Sequence, residues 1–414
     1  MTKRFSSKLS RTAIGMSGRA QKRNRLLGGL AMTVVALASL RPAAAQTNGY
    51  HVTDLGRIAT GASSTSLDLN DNGSVVGLSQ YSVKGSKRPI KRGWVWTPTV
   101  VNGTSGTLRA LVPFAGDGRA DSQAYSINNA GIIVGTSQSP TSSAFNVATF
   151  WQASTGYAPE NFNRLQRATM SDPSLANWTF TDASRISNPV SRIVNGQIVE
   201  TGEIYVLGKG RFGSSTSDEA IVWRIVPATS TAPTTVVGVT RMQVPNPSYP
   251  DAPTIYDVNN RGQVAGYAPA PDNTFDSACL WDGFSGTYTF LPKLLNNTLS
   301  YGLGLNDNGV VVGAWWNATG LQRGLVWTEG TTVELGTLGG HSNSANDINN
   351  LNQIVGWSYT PANTVRACLW WNGEIRNLND LKASGATTLT LQEAYGINNN
   401  GAIIGSGSWL LTPR

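Results

Sequence analysis

One short phrase recurs along the chain, and this repeat restricts the fold more than any other feature. Leu-Asn-Asp-Asn-Gly-Ser-Val-Val-Gly at 69–77 returns as Ile-Asn-Asn-Ala-Gly-Ile-Ile-Val-Gly at 127–135. Further copies surround Asn259, Asn306, Asn349 and Asn398. A repeat of this length is typical of supersecondary units that bury their apolar faces against one another.

Each unit is predicted to contain four short strands. The Asn-Asn-x-Gly segment is a turn after the first strand, and Val-Val-Gly begins the second. The fourth strand is predicted at a Leu-containing phrase such as Glu334–Leu338 or Asn377–Leu381. The third strand ends in Trp96, Trp151, Trp223, Trp281, Trp327 or Trp370. A small residue three positions before the Trp predicts close contact with neighbouring backbone: Gly93, Ala148, Ala220, Ala278, Gly324 and Ala367, with Gly407 at the matching place in the last unit.

The asparagine phrase marks six units, and a copy that matches the repeat less closely supplies a seventh. Its first strand is predicted at Ile186-Ser187-Asn188, its second at 204–208 and its third at 219–223. Asn195-Gly196 lies between the first two strands and indicates a hairpin turn. We therefore predict that the third unit carries an inserted hairpin.

The two ends of the repeat region complement each other. The last unit stops after Trp409-Leu410 and has no fourth strand, whereas residues 50–56 form a fourth strand with no unit before it. A ring in which the N-terminal strand completes the last blade removes two open sheet edges. The predicted fold is an all-β propeller of seven four-stranded blades. The alternatives are six blades, if unit three is an insertion, and a linear β-solenoid.

Residues 1–45 are predicted to be a secretory signal peptide, with an uncleaved anchor as the alternative. They contain nine basic and no acidic residues, an apolar run at 26–40 and the small residues Ala43-Ala44-Ala45. Residues 46–414 form a single propeller domain with no membrane span, and the protein is predicted to be secreted or periplasmic. Without the leader the net charge falls from +8 to about −1, which argues against a nucleic-acid partner.

The units resemble the HAF repeats of exported bacterial proteins, most clearly over Leu335–Gly356. This resemblance covers nearly all of residues 50–412 and implies export and a propeller-like fold. It supplies no catalytic residues. The His that names the family is replaced here by Arg92, Glu219, Ser277, Arg323 and Arg366, and its Phe by Cys279 and Cys368.

Metal and disulfide sites are not favoured. Asp68, Asn70 and Asn72 alternate as in a calcium loop, but the acidic residue needed later in such a loop is absent, so turn chemistry explains the phrase better. Cys279 and Cys368 occupy equivalent places in non-adjacent units, which predicts buried free thiols. No cofactor is expected, and two histidines, His51 and His341, give no zinc-protease or Ser-His pattern.

Two sets of side chains are candidate binding residues. Trp316 and Trp371 each belong to an adjacent Trp pair, so one ring of each pair is expected to face outward and could stack on a sugar. A basic cluster could hold an anionic polymer: Lys84, Lys87, Arg88, Lys91 and Arg92. Asp54, Asp257 and Asp347 are candidates to line a central channel.

The favoured function is non-enzymatic binding or scaffolding at the cell envelope or outside the cell, with a glycan or an envelope protein as the partner. Variable loops on a rigid ring suit such a role. A polysaccharide-degrading enzyme with a carboxylate pair in the channel is the first alternative. A calcium-stabilised adhesin is the second.

Overall fold

The computed structural model describes residues 49–84, 88–114, 120–139, 146–167, 173–229, 232–244, 253–270, 275–295, 298–383 and 389–414. The chain divides into two units, Met1–Ala44 and Ala45–Arg414. The first unit, and with it the predicted signal peptide at 1–45, lies outside the described residues.

The described chain is built from strands, as its alternating and Gly-punctuated sequence predicts. Its helical elements are three single-turn 3₁₀ segments, Ala153–Thr155, Phe162–Arg164 and Pro173–Asn177. Over the described ranges, no helix has the length and apolar character needed to cross a membrane. The all-β prediction is confirmed.

The strands form seven sheets, which we call blades 1 to 7. The strand β1 (Tyr50–Asp54) precedes blade 1. Blade 1 contains β2 (Ser63–Leu69), β3 (Val75–Tyr81), β4 (Ile90–Pro98) and β5 (Gly106–Ala110). Blade 2 contains β6 (Ser122–Ile127), β7 (Ile133–Gln138), β8 (Asn146–Trp151) and β9 (Glu160–Asn161). Blade 3 contains β10 (Gln166–Arg167), β11 (Trp178–Val194), β12 (Gln197–Phe212), β13 (Glu219–Val226) and β14 (Thr235–Arg241).

The remaining blades follow the same plan. Blade 4 contains β15 (Thr254–Val258), β16 (Gln263–Pro269), β17 (Asp276–Asp282) and β18 (Tyr288–Phe290). Blade 5 contains β19 (Leu299–Leu305), β20 (Val311–Trp316), β21 (Gln322–Thr328) and β22 (Thr331–Glu334). Blade 6 contains β23 (Asn343–Ile348), β24 (Ile354–Tyr359), β25 (Val365–Trp371) and β26 (Glu374–Asn377). Blade 7 contains β27 (Ala394–Ile397), β28 (Ile403–Gly405) and β29 (Trp409–Pro413).

The N-terminal strand completes blade 7. β1 pairs antiparallel with β29, from Tyr50 opposite Pro413 to Asp54 opposite Trp409. The predicted closure and the count of seven blades are therefore confirmed, and the six-blade and solenoid alternatives are wrong. Closure of the ring leaves each blade only short, protected edges.

Unit three is a complete blade with elongated strands. The strands β11 and β12 run for 17 and 16 residues and meet at Asn195 and Gly196, whose φ values are 52° and 77°. Positive φ at both positions is the two-residue turn that Asn-Gly favours. The turn is confirmed, but the hairpin continues the first two strands of the blade and is not a separate inserted pair.

The fourth strands end earlier than predicted. β22 and β26 finish at Glu334 and Asn377, where the Leu-containing phrases begin. The Leu that follows still bonds to the third strand in the same register: the N–H groups of Leu335 and Leu378 donate to Gly324 O and Ala367 O, both at 2.9 Å. This bond ends the fourth strand and starts the crossing to the next blade.

Every inner strand carries a β-bulge opposite a glycine of the second strand. The register shifts between Ser66 and Asp68 in blade 1, and at the equivalent place in the other six blades. The bulge presses an inner-strand carbonyl against the glycine, so that a Cβ at this position would overlap the oxygen. The glycines are Gly77, Gly135, Gly208, Gly266, Gly313, Gly356 and Gly405.

The apolar core lies between adjacent blades. A Cβ on Gly93 of blade 1 would lie 2.8 Å from Ala124 N of blade 2, and one on Gly324 would lie 3.2 Å from Ala345 N of blade 6. Close contact with neighbouring backbone is thus confirmed at Gly93 and Gly324. Gly407 differs, because its φ is 91° and a Cβ there would meet only Trp409 Cδ1, at 3.5 Å. We call the face on which the inner strands end the turn face, and the opposite face, on which they begin, the loop face.

Candidate binding face

The turns that end the inner strands are bonded to one another around the ring. Asn70 Oδ1 accepts from Asn72 N and Ser74 N at 3.1 and 3.0 Å, and its Nδ2 donates to Asn128 O of blade 2 at 3.0 Å. Six asparagines make this interblade bond: Asn70, Asn128, Asn259, Asn306, Asn349 and Asn398. Blade 3 has Ser187 at the matching position.

The next residue of each turn forms a second ring, which passes through all seven blades. Its backbone N–H donates to the side-chain Oδ1 of the equivalent residue in the following blade, over 2.7 to 3.2 Å. The members are Asp71, Asn129, Asn188, Asn260, Asp307, Asn350 and Asn399. The repeated Asn-Asn phrase therefore joins the blades as well as making the turns.

The predicted calcium ligands belong to these contacts. Asp68 Oδ1 accepts from Leu69 N, and Asp68 Oδ2 accepts from Ser126 Oγ at 2.6 Å and Ile127 N at 2.9 Å. Asn72 Nδ2 donates to the carbonyl of Asn129 at 3.0 Å. The oxygens of Asp68 thus face hydrogen-bond donors of blade 2, which suits interblade bonding better than cation binding.

Three half-buried carboxylates occupy equivalent places in the inner strands of blades 1, 4 and 6. These are Asp68, Asp257 and Asp347; Asp257 Oδ2 accepts from Leu305 N, and Asp347 Oδ2 from Ile397 N, both at 2.8 Å. Burial raises the pKa of Asp257 to about 7, and it also raises the pKa values of Asp68 and Asp347. Arg185 of blade 3 opposes this effect at Asp68 and Asp257. The charge of Asp68 raises the pKa of Asp257, and the charges of Asp257 and Asp68 raise the pKa of Asp347.

The predicted channel set was partly wrong. Asp54 lies on the exposed outer strand of blade 7, where its Oδ1 accepts from Gly56 N at 2.9 Å, and Asp68 takes the third place beside Asp257 and Asp347. In Asp68, Asp257 and Asp347, both carboxylate oxygens accept from backbone N–H groups. A general acid or base must reach a substrate proton. This geometry therefore favours a structural role over cleavage of a polysaccharide.

The basic cluster of blade 1 does not present one cationic surface. Arg88 is exposed but pairs with Asp121 at 2.8 Å, which raises the pKa of the Arg88 guanidinium. Arg92 is buried and Lys91 is half-buried, whereas Lys84 is exposed. Lys87 lies outside the described residues. The arrangement gives little support to binding of an anionic polymer at this cluster.

Each adjacent Trp pair has one buried and one half-buried ring, as alternation along a strand predicts. Trp315 and Trp370 are buried, whereas Trp316 and Trp371 are half-buried. Trp371 packs against the apolar cluster of blades 6 and 7. Trp316 instead reaches the loop face, where it contacts Tyr301.

Trp316 ends a row of four aromatic rings that crosses blades 4 and 5, which we call the aromatic row. The ring centres are 6.0 Å apart for Tyr256 and Tyr267, 4.2 Å for Tyr267 and Tyr301, and 4.8 Å for Tyr301 and Trp316. All four side chains are half-buried, so the row has a solvent-accessible side.

The phenols of Tyr256 and Tyr301 in the aromatic row remain neutral at physiological pH. Burial, the nearby phenols of Tyr267 and Tyr301 and a hydrogen bond to Tyr267 raise the pKa of Tyr256 to about 12. Burial, the Asp276 carboxylate and Tyr267 raise the pKa of Tyr301. The row therefore combines flat apolar rings with neutral hydroxyl groups, as binding sites for uncharged polar molecules often do.

Sequence reasoning found Trp316 but missed the three tyrosines. Tyr267 and Tyr301 lie on different blades, 34 positions apart in the chain. Tyrosines within predicted strands can be seen in the sequence. The sequence does not show, however, which side chains of one blade contact those of the next. Only the angle between blades 4 and 5 brings the rings into contact.

The cysteines and histidines lie away from the aromatic row. Cys279 and Cys368 are free and buried in two different apolar clusters, and burial raises the pKa of both thiols. His341 is exposed, stacks on Tyr359 with ring centres 4.4 Å apart and contacts Ser342 Oγ and Asn363 Oδ1 through its two nitrogens. His51 is exposed on β1.

Comparison with known proteins supports the fold. No protein-family model and no curated protein sequence matches the chain. Among solved structures, the β-propeller domain of the Trilobed protease from Pyrococcus furiosus matches with a TM-score of 0.51 and 8% identity, over 86% of this chain and 95% of that one. At such low identity, the similarity concerns the propeller fold alone.

Two further structures are similar to a lesser degree. Puromycin hydrolase matches with a TM-score of 0.45 and 11% identity, over 82% of this chain and 48% of that one. An Aleuria aurantia lectin in complex with Fucα1-6GlcNAc matches with a TM-score of 0.33 and 9% identity, over 79% of this chain and 97% of that one. These weaker similarities support no statement about the activity of this chain, which is a seven-bladed β-propeller.

Proposed function

We propose that this chain is an exported binding protein that holds a neutral glycan on the aromatic row. The observation that carries the proposal is the continuous contact of Tyr256, Tyr267, Tyr301 and Trp316 across two blades. The half-buried rings keep one side of the row accessible to a ligand.

The chemistry of the row suits a sugar better than a charged ligand. Aromatic faces stack on the C–H faces of pyranose rings, while neutral phenol hydroxyls can bond to sugar hydroxyls. The rings belong to β15, β16, β19 and β20, so rigid sheet holds them in place before a ligand arrives. Preformed sites lose little conformational entropy on binding.

The proposed location is the periplasm or the outside of the cell. The charge pattern and apolar run of residues 1–45 support this part of the proposal. The Leu335–Gly356 phrase supports membership of the exported HAF-repeat family.

Calorimetric titration with neutral hexasaccharides of the cello, xylo, manno and chito series tests the proposal. We expect at least one series to bind and to change tryptophan fluorescence, because Trp316 would lie under the sugar. The Trp316→Ala variant should bind that hexasaccharide about tenfold more weakly, equivalent to about 1.4 kcal/mol.

Trp371→Ala is the matched control, because Trp371 is the half-buried member of the other Trp pair and packs against a different cluster. It should bind as the parent protein does. Equal affinity of the parent and Trp316→Ala proteins, or no binding in any of the four series, would contradict a glycan site on the aromatic row.

A further inference from the structure

A cavity of about 540 Å³ opens on the loop face between blades 2 and 3, separate from the aromatic row of blades 4 and 5. This volume lies within the range of about 300–1,000 Å³ that small-molecule sites occupy. Its lining combines the rings of Phe114 and Trp178 with Val147, Leu165, Asn161 and Arg164. Ser139, Asn163 and Thr179 add further polar groups to the lining. Apolar rings together with convergent polar groups suit a small organic molecule that is itself partly polar.

Arg164 is the one cation among the residues that line this cavity. Its guanidinium carbon lies 4.8 Å from the centre of the Phe114 ring, and the side chain is exposed. No carboxylate within the described ranges forms an ion pair with it. A guanidinium can stack on an aromatic ring through its flat face, while its N–H edge is the part that binds a carboxylate in bidentate geometry.

The segment that carries Arg164 is anchored to the core. The 3₁₀ turn Phe162–Arg164 begins with a fully buried ring, and Phe162 contacts Phe150 and Trp223 with centres 4.8 and 5.2 Å apart. Asn163 fixes the turn further, because its side chain donates to Phe180 O and accepts from Phe180 N at 2.9 and 2.7 Å. The guanidinium is therefore presented from a rigid base.

A second polar side chain at the cavity, that of Asn161, is held in place by the same turn. Asn161 Oδ1 accepts from Asn163 N at 2.8 Å and so caps the 3₁₀ segment. Asn161 also lines the cavity, where its side-chain amide supplies a second donor group. Two donors and two aromatic rings around one cavity match a molecule that has an anionic end and a flat or ring-shaped body.

We propose that this cavity binds a small carboxylate whose body is an aromatic or sugar ring, with the carboxylate on Arg164 and the ring between Phe114 and Trp178. This site goes beyond the proposed glycan site: it lies on other blades and recognises charge, which the aromatic row does not.

Ligand-observed NMR titration of the parent protein tests the inference with matched probes. The charged probes are benzoate and glucuronate, and their neutral counterparts are benzamide and glucose. We expect at least one acid to bind about tenfold more tightly than its neutral counterpart, because only the acid pairs with the guanidinium. Arg164→Gln should abolish this preference, and Arg164→Lys should restore part of it.

Arg57→Gln is the control, because Arg57 is likewise exposed but follows β1 on blade 7. It should retain the preference for the acid, and so should Trp316→Ala, which separates this inference from the glycan proposal. Equal binding of acid and neutral probe, an unchanged preference in Arg164→Gln, or no binding of either acid would overturn the inference.

Discussion

At the scale of single residues, the carboxylate of Asp257 makes the stability of the folded propeller depend on pH. Its raised pKa, about 7, arises first from burial, because protein replaces the water that would solvate the charge. The folded protein therefore holds this proton more tightly than the unfolded chain does. The resulting stabilisation is complete below the unfolded value near 4 and is lost as the pH rises through about 7.

We therefore expect the free energy of unfolding to fall between pH 5 and pH 8, and Asp257→Asn to reduce this fall by about 2 kcal/mol. The measurement is urea unfolding of the parent and variant proteins at both values of pH. Asp54→Asn should leave the fall unchanged, because Asp54 is exposed on the outer strand of blade 7. An equal fall in the parent and Asp257→Asn proteins would show that Asp257 does not set the pH response.

At the scale of elements, the unit of construction is an inner strand with a bulge and a second strand with a glycine. Glycine inside a strand often marks a bulge, so Gly77 and its six equivalents carried a signal for this feature. By itself, the Val-Val-Gly phrase predicts only where the second strand begins. The consequence for packing, that a carbonyl occupies the place of the missing Cβ, emerges from the paired strands.

Gly356→Ala should lower the free energy of unfolding by about 2 kcal/mol or more, because the new Cβ would overlap the backbone oxygen of Ser344, which cannot rotate away. Gly336→Ala, in the connection between blades 5 and 6, is the control, since a Cβ there meets nothing within 4 Å and its φ is not positive. The control should change the free energy by no more than about 0.5 kcal/mol. Urea unfolding measures both, and similar stability of the two variants would contradict the bulge explanation.

At the scale of the whole molecule, stability depends on closure of the ring. β1 pairs with β29 on one side, while Tyr50 N donates to Leu381 O at 2.8 Å and Ala383 N donates to Tyr50 O at 2.9 Å on the other. The Tyr50 ring is fully buried in the cluster of blades 6 and 7. Asn398 Nδ2 adds a bond from blade 7 to Asn70 O of blade 1 at 2.9 Å. The strand β1 and the blade 7 to blade 1 bond therefore join the first and last parts of the repeat region.

Tyr50→Ala should cost about 3 kcal/mol of unfolding free energy, as the loss of a buried aromatic ring usually does. Hydrogen exchange should also quicken in the inner strands of all seven blades, because opening at blade 7 removes the constraint on its neighbours. His51→Ala, an exposed position on the same strand, should change neither. Faster exchange confined to β1 and β29 would show instead that this strand is a local edge.

The sequence by itself determined the repeating plan. Turn chemistry at Asn-Asn-x-Gly, the Trp-ended third strand and the complementary ends depend on local propensity and on counting, so they predict seven blades and their closure. Local signals also located the Asn195-Gly196 turn. They placed the fourth strands too late, because those strands end where Leu335 and Leu378 bond back to the third strand, a contact that propensity does not encode.

Only the tertiary structure decided which side chains meet across blades. Asp68 belongs with Asp257 and Asp347 because the closed ring brings the inner strands of blades 1, 4 and 6 close enough for their charges to interact. Tyr267 belongs with Tyr301 because blades 4 and 5 are neighbours. The cavity beside Arg164 is likewise formed by two blades and a short turn. A sequence pattern specifies the face of a strand, but the distance between two faces depends on how the bulges and small residues let the blades approach.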